Sequence, residues 1–315
     1  MMKNICLFLL FAVSAVAQSI SIRETDGKLR VEADGKLFTE YHYKDVARPY
    51  LYPVIGPSGA SMTRDWPMKD TGKDSTDHPH QKGLLYAHGS VNGVDCWSEQ
   101  KEFGKTIHEK FLKKSPNTIS SRNNWVAQDG KVMCADERTL RFHASADARM
   151  IDYEITLIAS QGDVTFGDTK EGTMAIRLAE TMNLTKTVTD GKKKKKAPGD
   201  GRIVNSEGLR DGETWGKRAK WVDYYGPVDG KIVGVAMFDH PKNPCYPTWW
   251  HVRDYGLFAA NPFGVHDFEK KPAGSGDMKI AAGKSATFRY RFVFHDGDEK
   301  QGRVAERYGE FAKTK

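Results

Sequence analysis

The sequence predicts an all-β fold, a large antiparallel β-sandwich closed by a short C-terminal helix. Three observations predict it: apolar residues that alternate with period two in separated runs, Asp-Gly and Asn-Gly pairs at hairpin spacing between them, and one segment of helical period at the end of the chain. The 315 residues are 39% hydrophobic and 28% charged, which excludes disordered, collagenous and coiled-coil chains.

The chain opens on Met1-Met2-Lys3-Asn4, an apolar run from Ile5 to Val16, and the small-residue triplet Ala15-Val16-Ala17. The run is too short to span a bilayer and ends on an A-x-A site, so residues 1–17 read as a signal peptide. The mature chain, 18–315, is then expected to be periplasmic or extracellular. No later segment is apolar enough for a membrane helix, so no integral membrane segment is expected.

Strands follow. Ile151, Tyr153, Ile155 and Leu157 fall on one face, as do Phe288, Tyr290, Phe292 and Phe294. Asp26-Gly27, Asp34-Gly35, Asn92-Gly93, Asp129-Gly130, Asp229-Gly230 and Asp296-Gly297 punctuate the runs. Thr189 to Gly201, rich in Gly, Pro and Lys, reads as an exposed loop, since neither half of the chain has its own start and stop signals. One domain of two large sheets therefore fits the length. From Gly302 to Lys313, Val304, Tyr308 and Phe311 recur at helical spacing.

The net charge is +7, and five charges lie in the single run Lys192 to Lys196. The rest is close to neutral, so no nucleic-acid partner is expected and the lysines read as a solvated tip. Cys96, Cys134 and Cys245 are an odd set without repeated spacing; one bridge plus a free thiol, or three buried thiols, both fit. The oligomeric state is not legible.

Two stretches are dense in polar, aromatic and glycine residues. In the first, Asp77-His78-Pro79-His80, proline forbids a helix and favours an extended His78, which would put both imidazoles on one side, their Cα atoms about 6 to 7 Å apart. His88 joins them only if the chain turns near Gly83. Arg64, Asp95 and Trp97 share the segment, a composition suited to a pocket with aromatic walls and polar anchors. In the second stretch, Trp249, His251 and Arg253 alternate with Trp250, Val252 and Asp254, so one face offers an indole, an imidazole and a guanidinium. Asn261 follows. A third segment, Lys170-Glu171, puts an ammonium and a carboxylate at a strand mouth, where a surface turn is the commoner explanation. P-loop, dinucleotide-binding, zinc-protease and nucleophile-elbow patterns are absent.

These residues resemble an exported bacterial family labelled methane oxygenase PmoA, also treated as a family of unknown function. The resemblance covers nearly the whole mature chain and rests on Asp77-His78-Pro79-His80, Gly83-Leu84, Asn92-Gly93-Val94-Asp95-Cys96-Trp97 and Trp249 to Gly264. It departs at Gln81-Lys82, where the family pattern would have His-Arg. The label implies a membrane-embedded oxygenase subunit, with which a chain lacking a membrane helix does not agree. More distantly, Val54-Ile55-Gly56-Pro57, then His78 and His80, then His251 run in an order similar to the galactose-mutarotase-like supersandwich.

The expectation is an exported carbohydrate-active protein working by histidine acid/base chemistry, as an epimerase, lyase or hydrolase. His78, His80, His251 and Glu171 would be catalytic, because imidazole populates both protonation states near neutral pH. Arg64, His88, Trp97, Trp249, Arg253 and Asn261 would bind a sugar or other polar cyclic molecule. Two alternatives are a non-catalytic glycan-binding module and a metal-dependent enzyme using His78 and His80; no cofactor is assigned, and a divalent metal stays open.

Overall fold

The computed structural model describes residues 17–100, 102–190 and 193–314; the leader, apart from Ala17, lies outside the described residues. Five strands come first, β1 (Ile20–Thr25), β2 (Lys28–Ala33), β3 (Lys36–His42), β4 (Tyr50–Val54) and β5 (Leu84–His88). A meander follows: β6 (Lys105–Ser115), β7 (Thr118–Val126), β8 (Val132–Ala144) and β9 (Ala148–Ile158). After β10 (Val164–Phe166) come β11 (Gly172–Arg177), the hairpin β12 (Thr185–Asp190) and β13 (Lys193–Pro198), then β14 (Arg202–Asn205), β15 (Trp221–Val228) and β16 (Lys231–Asp239). The chain ends with β17 (Trp249–Val252), β18 (Leu257–Asn261), α1 (Val265–Glu269), β19 (Met278–Ile280), β20 (Ser285–Asp296) and α2 (Val304–Phe311).

Two eight-stranded antiparallel sheets result, ordered β1-β2-β3-β4-β5-β11-β18-β17 and β14-β15-β16-β20-β9-β8-β7-β6. This is the expected sandwich with its terminal helix. Asp26-Gly27 and Asp34-Gly35 both take positive φ, the backbone that two-residue hairpin turns require. The alternating runs of β9 and β20 turn Ile151, Tyr153, Ile155, Leu157, Phe288, Tyr290, Phe292 and Phe294 into the core between the sheets. Helix α2 covers the outer face of the second sheet, where Val304 and Phe311 pack on Ala148, Ala236, Phe238 and Val293.

The first sheet departs from simple alternation, because β5, β11, β17 and β18 are buried along their whole length. One face, with Tyr86, Ile176, Trp250 and Phe258, joins the shared core. The other, with Leu85, Ala87, Ala175 and Ala259, lies beneath Trp97, Met68 and Val46 from the long segments flanking β5. The lysine run is also corrected. Lys193 to Lys196 form β13, paired register by register with β12, so they are a strand and not a loop tip. The three described cysteines are free thiols, and Cys245 is exposed, so neither arrangement expected for them is found.

Candidate functional site

The pairing register builds the floor of a cleft on the outward face of the first sheet. His251 on β17 lies opposite Ala259 of β18, which lies opposite Ala175 of β11, itself opposite Leu85 of β5. The resulting cleft is about 580 Å³ and is lined by His78, His80, Asp95, Trp97, Lys170, Glu171, Lys196, His251, Arg253 and Tyr255.

His78 and His80 stand on a loop held from behind by arginines. Asp77 accepts from Arg64 at 2.6 Å and Arg177 at 3.0 Å, and both guanidiniums are buried. Arg64 also donates to the His78 carbonyl, and Arg48 to that of His80. These anchors override the preference of a residue before proline: His78 has φ +46°, left-handed and not extended, and the Gln81 N–H closes a turn on its carbonyl. The two imidazoles are nonetheless neighbours, centroids 5.8 Å apart and edge to face. His78 stacks flat on Tyr255 at 5.1 Å, and its Nδ1 is 3.3 Å from Asp77. Burial, reinforced by the charges of Arg48 and His78, drives the His80 pKa down to about 4.

His251 is set differently. Its Nδ1 lies 2.6 Å from the Lys170 carbonyl oxygen, which can only accept, so Nδ1 carries the proton and Nε2 presents a lone pair. Nε2 is buried and has no hydrogen-bond partner among the described residues. Burial holds the pKa below the usual histidine range against the opposing pull of the Lys170 carbonyl, so the ring is neutral at neutral pH. Trp97 offers the complement, an indole N–H that is buried and without a partner among the described residues. Both residues are 3% exposed.

The strand mouth that carries Lys170 and Glu171 is fixed by α1 and by β5. Asp267 of α1 accepts from the Lys170 N–H at 2.8 Å, and Gly89 donates to the Glu171 carbonyl at 2.7 Å. A Cβ on Gly89 would sit 2.8 Å from that of Glu171, so only glycine allows this approach. The Glu171 carboxylate is 2.8 Å from the Lys170 ammonium. Asp95 is consumed by the backbone N–H groups of Trp97 and Ser98 and by the Ser98 hydroxyl.

Thus His78, His80, His251, Glu171, Trp97 and Arg253 meet in one cleft, and four other expected contacts do not. His88 points to the opposite face of β5, between Phe166 and Phe263, with Nε2 donating to the Gly167 carbonyl at 2.8 Å. Arg64 is buried behind the histidine loop. Trp249 donates to Glu269 and lies under Arg218. Asn261 is buried in bonds with the Thr169 carbonyl and the Phe263 N–H. Tyr255 and Lys196 were missed: the tyrosine stood within the second dense stretch, and the lysine within a run read as solvated. For the metal alternative, no group of three His, Cys, Asp or Glu that could hold an ion occurs among the described residues.

The chain belongs to a family described as "Family of unknown function (DUF6807)", whose model matches residues 28–309. This corrects the resemblance to methane oxygenase proteins: the family's description assigns no activity, and among the described residues no helix is long and apolar enough to cross a membrane. No curated protein matches the chain. Among solved structures it is similar to an α-galactosidase from Lactobacillus brevis, with 11% identity and a TM-score of 0.40 over 90% of this chain and 40% of that one. It is also similar to a galactose mutarotase-like protein from Lactobacillus casei ATCC 334, with 9% identity and a TM-score of 0.35 over 88% of this chain and 100% of that one. This chain thus spans less than half the length of the galactosidase.

Proposed function

We propose that this DUF6807 protein binds a carbohydrate in the cleft and transfers a proton to or from it, with His251 as base. The observation that carries the reading is the buried, unpartnered Nε2 of His251, its tautomer fixed by the Lys170 carbonyl. Sugar hydroxyls both donate and accept, so they complement that lone pair and the Trp97 N–H in the same cleft. Trp97, and the outer face of the His78 ring stacked on Tyr255, supply surface for the ring's C–H groups.

In this reading Nε2 takes a proton from the sugar, and His78, oriented by Asp77, returns one to the departing or ring oxygen. Carboxylate-pair hydrolysis is less well supported, since Glu171 is paired with Lys170 and Asp95 is saturated by local hydrogen bonds. A leader at residues 1–17 would place the reaction outside the cytoplasm, which mass spectrometry of exported protein, starting at Gln18, tests.

The deciding experiment incubates the purified protein with a panel of sugars and oligosaccharides in D2O and follows exchange and product formation by NMR. Turnover by the native protein that is lost in His251→Asn supports the assignment. Turnover unchanged in that variant removes His251 from the chemistry, and binding without turnover across the panel favours a glycan-binding module.

A further inference from the structure

We infer that the cleft selects an acidic sugar and that Arg253 receives its anionic group, a carboxylate or sulfate; this rests on the carbohydrate reading above. Among the described residues, the charges of the cleft are partnered with one exception. Glu171 is held by Lys170 at 2.8 Å, and Lys196 by Asp254 at 2.8 Å. Asp95 is occupied by Ser98 and the Trp97 N–H. Arg253 lines the same cleft, and no carboxylate lies within ion-pair distance of it among the described residues. Its guanidinium rests over the Tyr255 ring, 5.4 Å from the centroid, and its backbone N–H is tied to the Leu257 carbonyl at 2.7 Å. A guanidinium on an aromatic face keeps its donor edge free for a planar or tetrahedral anion.

The hairpin beside the cleft makes a second, independent case. Strand β13 delivers Lys196 into the lining, and Lys193 and Lys194 of the same strand are exposed. A basic rim that leads to an unpartnered arginine matches an oligosaccharide with repeated negative charges.

The probe is an array carrying uronate-containing, sulfated and neutral glycans side by side, with affinities for the best ligands measured by titration calorimetry. The expected result is a tenfold or greater preference for acidic over neutral glycans of matched backbone. Arg253→Gln should collapse that ratio toward one, and Arg253→Lys should retain part of it, with unchanged thermal midpoints as the control for folding. Replacing Lys193 and Lys194 by glutamine should weaken long acidic chains more than short ones. The uronate and sulfate spots distinguish the two anions. Neutral glycans bound as tightly as acidic ones, or a ratio unchanged in Arg253→Gln, overturns this inference and leaves the carbohydrate reading standing. A protein that binds no glycan on the array counts against the carbohydrate reading itself.

Discussion

The Nδ1 atom of His251 lies 2.6 Å from the carbonyl oxygen of Lys170, a contact that joins β17 to the mouth of β11 and leaves Nε2 with the lone pair. Asparagine can copy the Nδ1 donation with its side-chain amide and has nothing in place of Nε2. His251→Asn should therefore keep the thermal midpoint within a few degrees while turnover falls by roughly a hundredfold or more, the usual worth of a positioned base. A parallel loss of stability and activity would make the contact structural.

The two histidines held near 4, His80 and His88, give acid lability a defined window. His88 donates from Nε2 to Gly167, so its buried Nδ1 is unprotonated, and burial takes its pKa from 6.5 to about 4 against the pull of Asp95 and Asp277. A folded pKa below the unfolded one means full stability above about pH 6.5, lost progressively as the pH falls from about 6.5 to about 4. At roughly 1.4 kcal/mol per pH unit, each such histidine costs nearly 3 kcal/mol by about pH 4.5. Glutamine can keep the donation to Gly167 without a titrating ring. Urea unfolding of His88→Gln should show a smaller fall between pH 7 and 4.5 than the native protein; equal slopes would contradict it.

Much of the sandwich was legible because β9 and β20 each bury one face, which leaves a period-two trace in the sequence. The same signal misleads on β5. Leu84, Tyr86 and His88 share one face and Leu85 and Ala87 the other, and apolar residues on both sides give no parity by which to place His88. His251 is better marked, since Trp250 and Val252 beside it are apolar and point inward. The proline rule misjudged His78 because its conformation is set by Arg64 and Asp77, contacts distant in sequence that no local preference reveals. Lys193 to Lys196 are exposed, as their composition argues, yet they pair with β12 as a strand, which a run of one residue type does not reveal.

The two sheets should unfold as one unit. Aromatic rings interlock across them, Phe38 of β3 with Phe142 and Phe294, and Tyr86 of β5 with Trp125. Neither sheet could keep its inner face dry without the other. Thermal unfolding followed by near- and far-UV circular dichroism should give coincident transitions, and proteolysis within Lys193 to Lys196 should nick the chain without releasing a stable half. Two separated transitions would overturn the single-domain proposal.

Asp77 should prove a positioning residue with a stability cost. It is the shared counterion of Arg64 and Arg177, whose side chains are 0% and 1% exposed, and among the described residues Arg177 has only Glu180, at 3.7 Å, as a second carboxylate neighbour. Asp77→Asn leaves Arg64 without an anion and weakens the hold on His78. A buried pair broken on one side costs about 3 to 5 kcal/mol, but Asp77 is 43% exposed and its screening by solvent lowers this to about 2 kcal/mol. The variant should shift the urea midpoint accordingly. It should also lower kcat as well as raise KM, because Asp77 orients the His78 that returns the proton and the loop that seats His78 against Tyr255 loosens, while the base on β17 is untouched. A wild-type midpoint and KM would show that the arginines hold the loop without their shared carboxylate.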